Sequence, residues 1–156
     1  MKSFILSNNE ARLVVLQRIE LIGPFLKKLR KFFGRKLFTN FVTKYFLNSN
    51  QIGISYYAAM HKEFLTFQNL INSDQDQLFL SIGGGLGGLE LIINQNLPSK
   101  KYYFIERNFI SKKVKYGWGG TINNEAYNDL EIQKRFLENN GMQNSQINIF
   151  DYDKDK

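Results

Sequence analysis

Residues 79–90 read FLSIGGGLGGLE, and this stretch decides the fold. Glycine fills five of the six positions 83–88, after an apolar run that ends at Ile82. Glycine loses more conformational freedom on folding than any other residue, so such a cluster indicates backbone that adopts positive φ or lies close to another group. A second apolar run follows from Leu89. The pattern predicts a strand that turns through a glycine loop into a helix.

The residues after the loop continue this alternation. We predict strands at QLFLSI (77–82), KKYYFIE (100–106) and QINIF (146–150), and helices at GLELIINQ (88–95) and EAYNDLEIQKRFLENN (125–140). Strands that alternate with helices pack as a parallel sheet. The sequence therefore predicts an α/β fold that contains half of a doubly wound parallel sheet.

The residues before the first strand are predicted to be helical. Ser7 and Glu10 form a capping-box pattern, and Pro24 suits the first position of a helix. We predict helices over 11–22, 24–33 and 36–47, with breaks at Gly23 and Gly34, a longer helix from Ile54, and a polar linker over 72–77. The chain thus divides into a basic helical region, 1–76, and a sheet region, 77–156.

Positive charge is concentrated near the amino terminus. Residues 1–50 carry ten Lys and Arg against two Glu, whereas the remaining residues carry eleven against twelve acidic residues. The segment KKLRKFFGRK (27–36) interleaves cations with apolar residues, as nucleic-acid-binding and membrane-surface helices do. The favoured interpretation is a solvated charged face of a helix, with either binding function as the alternative.

Composition excludes several classes of protein. The chain has no cysteine, which excludes disulfides and thiolate metal ligands, and His61 is its only histidine. Histidine-based metal clusters are therefore excluded, no metal site is predicted, and we interpret His61 as a core or boundary residue. No apolar run reaches the roughly 20 residues of a membrane span, and residues 1–10 lack a signal-peptide core. We expect a soluble cytoplasmic protein.

Three features fall at the ends of the three predicted strands. Gly83, Gly85 and Gly87 fit GxGxG after the first strand, Glu106 ends the second, and Asp151 follows the third. Ligands of parallel sheets bind beyond the carboxyl ends of the strands, where a carboxylate accepts hydrogen bonds from ribose hydroxyls. The pattern favours a site for an adenosyl ligand over a purely structural turn.

The same letters also fit a second motif. Gly83, Gly85 and Gly88 satisfy GxGxxG, which cradles a pyrophosphate at a helix N-terminus in dinucleotide-binding folds. The glycines alone therefore leave an NAD(P)-binding oxidoreductase fragment open.

Three segments resemble a known family. LFLSIGGGLGGLELI, YYFIERN and FLENNGMQNSQINIFDYD are similar to the first three motifs of class I S-adenosylmethionine-dependent methyltransferases, over residues 77–153. The helical region resembles the N-terminal cap that many of these enzymes place over the cofactor. The resemblance implies a Rossmann-like doubly wound parallel sheet, of which this chain holds the first three strands, preceded by an α-helical cap.

The resemblance also implies roles for individual residues. The glycines at 83, 85 and 87 would line the methionine and ribose portion of S-adenosylmethionine, Glu106 would hold the ribose diol, and Asp151 would face the adenine. Ser81 and Gly84 complete the expected cofactor-binding set. Ser81 stands where the family usually has Asp or Glu.

A second departure is the length of the segment over 107–124. This segment is longer than the family's usual link from the second strand to the next helix. Its Tyr116 and Trp118 are interpreted as part of a surface loop, with contact to an acceptor as the alternative.

The implied function is methyl transfer to a small-molecule acceptor, such as a sugar or other metabolite. In this family the acceptor-facing residues lie at and after the fourth strand, whereas this chain stops at DYDKDK, just past the third. No catalytic base is named, and we expect a natural truncation, split gene or fragment that is inactive alone. We also expect it to self-associate or to pair with a chain supplying the missing half.

A third hypothesis comes from another class. It is a non-enzymatic interaction protein that binds polyanions or a membrane surface through the basic helices over 24–47.

Overall fold

The computed structural model describes residues 2–71, 78–97, 100–111 and 126–155. Within these ranges the protein is a mixed α/β structure with helices and a three-stranded parallel sheet. The predicted linker over 72–77, and Tyr116 and Trp118, lie outside the described residues.

The sheet has the strand order β1-β2-β3, with β1 at Leu78–Ile82, β2 at Lys101–Glu106 and β3 at Ile147–Asp151. Both pairs of neighbouring strands are parallel, and Glu106 lies opposite Asp151. The connecting helices are α5 (Gly88–Asn96) and α6 (Leu130–Asn139). The predicted alternation of three strands and two helices is confirmed.

The N-terminal helices are α1 (Asn8–Gln17), α2 (Pro24–Leu37), the short α3 (Thr43–Tyr45) and α4 (Ser49–Phe67), with a π-helical turn at Phe38–Val42. The capping box is confirmed: the Ser7 hydroxyl accepts the Glu10 N–H at 3.3 Å, and the Glu10 carboxylate accepts the Ser7 N–H at 2.5 Å. No helix in the described ranges has the length and apolar character needed to cross a membrane.

Several predicted helix boundaries in this region are wrong. The helix predicted over 11–22 ends at Gln17, and a separate 3-10 turn follows at Ile19–Leu21. Gly34 does not end its helix, because α2 continues to Leu37 and into the π-helical turn. Burial of Phe38 and Val42 there offsets the roughly 1 kcal/mol that a glycine costs inside a helix. The last helix, α4, begins at Ser49 rather than Ile54, because the Asn48 side chain caps it by accepting the Gln51 N–H at 3.0 Å.

The predicted start of the helix at 125 is also wrong. Asp129 caps α6 by accepting the N–H groups of Glu131 and Ile132, at 3.1 and 3.0 Å, so the helix begins at Leu130. Tyr127 instead pairs with Ile110 in an isolated antiparallel bridge. The residues just before α6 therefore form an irregular segment rather than a helical turn.

One hydrophobic core joins the two regions of the sequence. Tyr102 and Phe104 of the sheet are fully buried in the same cluster as Tyr56 of α4 and Phe136 of α6. The Phe4 ring lies 5.3 Å from that of Tyr56 and 5.5 Å from that of Phe136. The N-terminal helices and the sheet thus share a core.

The opposite face of the sheet is open. Leu78, Leu80 and Ile82 of β1 are 61%, 64% and 72% exposed, and the ring of Tyr103 stacks on that of Phe150 beside them. Since side chains alternate along a strand, the residues between them point to the covered face. Within the described ranges the sheet has one buried face and one exposed apolar face.

Candidate functional site

A cleft of about 430 Å³ lies where β1 and β2 end. Its lining comes from the glycine loop, the end of α1, the residues after β2 and β3, and the segment before α6. The lining residues are Gln17, Ile82, Gly83, Gly85, Ile105, Glu106, Arg107, Ala126, Tyr127, Asn128 and Tyr152. The carboxyl ends of parallel strands are where such sheets bind ligands.

Of the glycines in the loop after β1, Gly83 opens onto free space. It has a φ of 66°, and among the described residues no heavy atom other than those of its chain neighbours lies within 4 Å of the position that a Cβ would occupy. Its N–H donates to the Ile105 carbonyl at 3.0 Å, which fixes the loop to β2. The backbone at Gly83 is therefore both held in place and accessible to a ligand.

The other glycines accommodate groups of the protein itself. A Cβ at Gly85 would collide with the Gln17 side chain of α1, and one at Gly88 would lie 2.5 Å from the Tyr56 hydroxyl oxygen. A Cβ at Gly87 would lie 3.0 Å from both Leu137 and Phe104. Close packing of protein groups against the loop explains why these positions are glycine. The number of glycines in the loop is therefore weak support for a ligand site.

Glu106 joins β2 to the loop. Its Oε1 accepts the Gly85 N–H at 2.8 Å. Burial raises the pKa of this carboxyl to about 7, although hydrogen bonds from Gly85, Asn128 and Gly84 oppose the rise. A carboxylate in this position can accept further hydrogen bonds from hydroxyl groups in the cleft.

Asn128 is a buried residue that the sequence analysis missed. Its side-chain N–H groups donate to the Gly85 carbonyl at 3.2 Å and to Gln133 Oε1 at 3.0 Å. Gln17 closes the same side of the cleft by donating to the Tyr127 carbonyl at 2.7 Å. The sequence gives no signal for this role, because amide side chains form no distinctive motif and the predicted helix over 125–140 includes Asn128.

Asp151 does not line this cleft. Its Oδ1 accepts the Asp153 N–H at 3.1 Å, and its Oδ2 lies 3.4 Å from the Lys154 Nζ. The carboxylate therefore closes the turn after β3 and faces a neighbouring cleft. Tyr152 lines the main cleft instead, with its ring centroid 5.3 Å from the Arg107 guanidinium carbon.

Ser81 lies behind the loop and is buried on the covered face of the sheet. Its hydroxyl donates to the carboxylate of Glu90, in the first turn of α5. Burial raises the pKa of Glu90, whose Oε2 is buried with no hydrogen-bond partner among the described residues. A Cβ on Gly84 would collide with the Ser81 hydroxyl. Ser81 and Glu90 therefore support the loop from beneath and lie outside the cleft.

The expected site residues thus separate into two groups. Gly83, Gly85 and Glu106 line one cleft, whereas Ser81, Gly84, Gly87 and Asp151 do not line it. No family model, curated protein or solved structure matches the chain. The function of the cleft is therefore inferred from its geometry.

Proposed function

We propose that this cleft binds S-adenosylmethionine and that the chain is the cofactor-binding part of a methyltransferase for a small-molecule acceptor. The observation that carries the proposal is the Glu106 carboxylate, which accepts the Gly85 N–H at 2.8 Å beside the open backbone of Gly83. A Rossmann-like sheet with an N-terminal helical cap is the corresponding fold.

The cleft residues fit the parts of such a ligand. Gly83 leaves room for a ribose or methionine group against the backbone, and Glu106 can accept hydrogen bonds from two ribose hydroxyls. The exposed Tyr152 offers an aromatic face for the adenine, in the role the sequence had suggested for Asp151. Bound S-adenosylmethionine would supply an electrophilic methyl group, and these residues would orient it toward the acceptor.

The dinucleotide alternative is disfavoured by the N-terminus of α5. A pyrophosphate there needs free N–H groups, but the Gly88 N–H already donates to the Tyr56 hydroxyl at 3.1 Å. The Glu90 side chain accepts its own N–H in the first turn of α5, so this N–H is not available to a phosphate either. The protein's own groups thus fill the position that a dinucleotide phosphate would take.

Isothermal titration calorimetry with S-adenosylmethionine, S-adenosylhomocysteine and NAD tests the proposal. We expect both adenosyl sulfur compounds to bind more tightly than NAD. The variant Glu106→Gln keeps the shape of the side chain and removes its charge, and should weaken binding by about 1–3 kcal/mol.

Glu131→Gln, an exposed carboxylate on α6, is the matched control and should bind as the wild type does. Tighter binding of NAD, or unchanged affinity in the folded Glu106→Gln variant, would overturn the proposal.

A further inference from the structure

The helical segment over 24–46 exposes many large apolar side chains. Phe32 is 83% exposed and Phe25 is 69% exposed. We call the segment's exposed residues the aromatic–basic surface. Its apolar members are Phe25, Phe32, Phe33, Leu37, Phe41, Tyr45 and Phe46. A solvated charged face, the interpretation that the sequence favoured, does not require any of them.

These rings pack on one another more than on the core. The centroids of Phe32 and Phe33 are 5.1 Å apart, and Phe41 lies 5.3 Å from Tyr45 and 5.6 Å from Phe46. In α2 the residues that reach the core are Leu26 and Leu29, which are only partly buried. Most of the apolar side of α2 therefore remains available.

The arrangement along α2 is amphipathic. The exposed Phe25 and Phe32, seven positions apart, form a stripe on one side of the helix, next to the side on which Leu26 and Leu29 reach the core. The exposed Lys27 and Lys31, four positions apart, lie on the other side, and Lys28 flanks the stripe beside Phe32. Apolar residues on one side with cations opposite and flanking are the pattern of a helix that lies in a membrane interface.

The charge of the segment is of one sign. Residues 24–46 contain seven Lys and Arg and no Asp or Glu, and the acid-free stretch runs from 21 to 62. Clusters of this size are attracted to anionic lipid headgroups. The charge of the segment is complementary to that of such a surface.

We propose that the aromatic–basic surface binds peripherally to anionic lipid membranes, with the phenylalanines in the interface and the lysines on the headgroups. Lipid is favoured over nucleic acid because aliphatic Leu37 is exposed with the aromatics. A single-stranded nucleic acid is held by aromatic rings and cations and gains little from aliphatic groups. The proposal does not depend on cofactor binding.

Vesicle flotation with the full chain tests the proposal. The probes are vesicles of phosphatidylcholine alone and vesicles in which about one third of the lipid is phosphatidylglycerol. We expect binding to the anionic vesicles and little to the neutral ones. Lys27→Gln/Lys28→Gln/Lys31→Gln should reduce the partition coefficient about a hundredfold, since each cation near the surface contributes roughly fivefold.

The aromatic contribution is tested separately. Phe25→Ser/Phe32→Ser should reduce partitioning at least about tenfold, because the side chains that enter the interface are lost. Leu65→Ser/Leu70→Ser and Lys62→Gln/Lys134→Gln/Arg135→Gln change exposed residues elsewhere and should bind as the wild type does. Circular dichroism checks that every variant folds.

Insertion can be observed directly by fluorescence. In a Trp118→Phe background, Phe32→Trp should shift its emission to the blue when anionic vesicles are added, whereas Leu70→Trp should not. The proposal is overturned if the wild type does not bind anionic vesicles. It is also overturned if Phe25→Ser/Phe32→Ser binds as the wild type does and Phe32→Trp shows no blue shift. Nucleic acid would be the ligand instead if the protein bound polyuridylate more tightly than anionic vesicles and if the triple lysine and double phenylalanine variants both lost polyuridylate binding.

Discussion

At the scale of single residues, Glu106 links the proposed site to pH. Because burial raises its pKa to about 7, the carboxyl is largely protonated at pH 6 and largely ionised at pH 8. Ribose hydroxyls bond more strongly to the ionised form. Affinity for S-adenosylhomocysteine should therefore rise between pH 6 and pH 8 in the wild type, as measured by calorimetry. Glu106→Gln should bind S-adenosylhomocysteine more weakly, and its affinity should change less between pH 6 and pH 8. An equal change of affinity with pH in the variant and the wild type would contradict the role of Glu106 in binding.

Glu90 should make stability depend on pH in a definite direction. Its folded pKa is raised by burial, so the folded protein holds a proton that the unfolded chain releases, and stability falls as pH rises above the unfolded value. The Gln side chain of Glu90→Gln cannot ionise, so the stability of this variant should decrease less than that of the wild type as pH rises. Urea unfolding at pH 5 and pH 8 would measure it, with Glu131→Gln as control. An unchanged pH dependence would show that Glu90 is not held in this environment.

The positions of Gly83 and Glu106 in one cleft could be predicted because they depend on strand ends alone. The direction of Asp151 could not, since it is set by the turn that its own oxygens stabilise. The packing role of Gly85 and Gly88 depends on Gln17 and Tyr56, which are distant in sequence.

At the scale of elements, capping residues decide where helices begin. Asp129 accepts two N–H groups at the start of α6. Asp129→Ala should lower the free energy of unfolding by about 0.5–2 kcal/mol, whereas Asp129→Ser should retain most of it. Chemical denaturation measures both, with the exposed Glu138→Ala on the same helix as control. Equal losses in the alanine and serine variants would argue against capping.

Element type was predictable from periodicity, and element ends were less so. The helix breaks expected at Gly34 and before Ile54 were wrong where burial or a cap overrode the local signal. Tertiary packing outweighs a propensity difference of about 1 kcal/mol.

At the scale of the whole molecule, we expect the exposed sheet face to be a site for association. Its most exposed apolar side chains belong to β1, which is the terminal strand of the described sheet. An exposed apolar face and a terminal strand both favour association with another chain. We expect the wild type to be oligomeric in light scattering coupled to size exclusion. Leu80→Lys should shift it toward the monomer, because a charge on this face cannot be buried without cost.

Leu65→Lys adds the same charge to an exposed position of α4 and should leave the oligomer unchanged. A monodisperse wild-type monomer would contradict the prediction. The open face was not predictable from LFLSI, since a continuous apolar run is also typical of a strand buried on both sides.

The core that joins both regions has a consequence during synthesis on the ribosome. The Ile5 N–H donates to the Asn140 side chain at 2.7 Å, and the Asn140 side chain donates back to the Ile5 carbonyl at 3.0 Å, across 135 positions of sequence. Contacts of such separation form only after the intervening chain exists, and closing them slows folding. The contacts of Phe4 and Tyr56 with Phe136 therefore form only after Phe136 has been translated, and until then the nascent chain exposes apolar surface that favours aggregation.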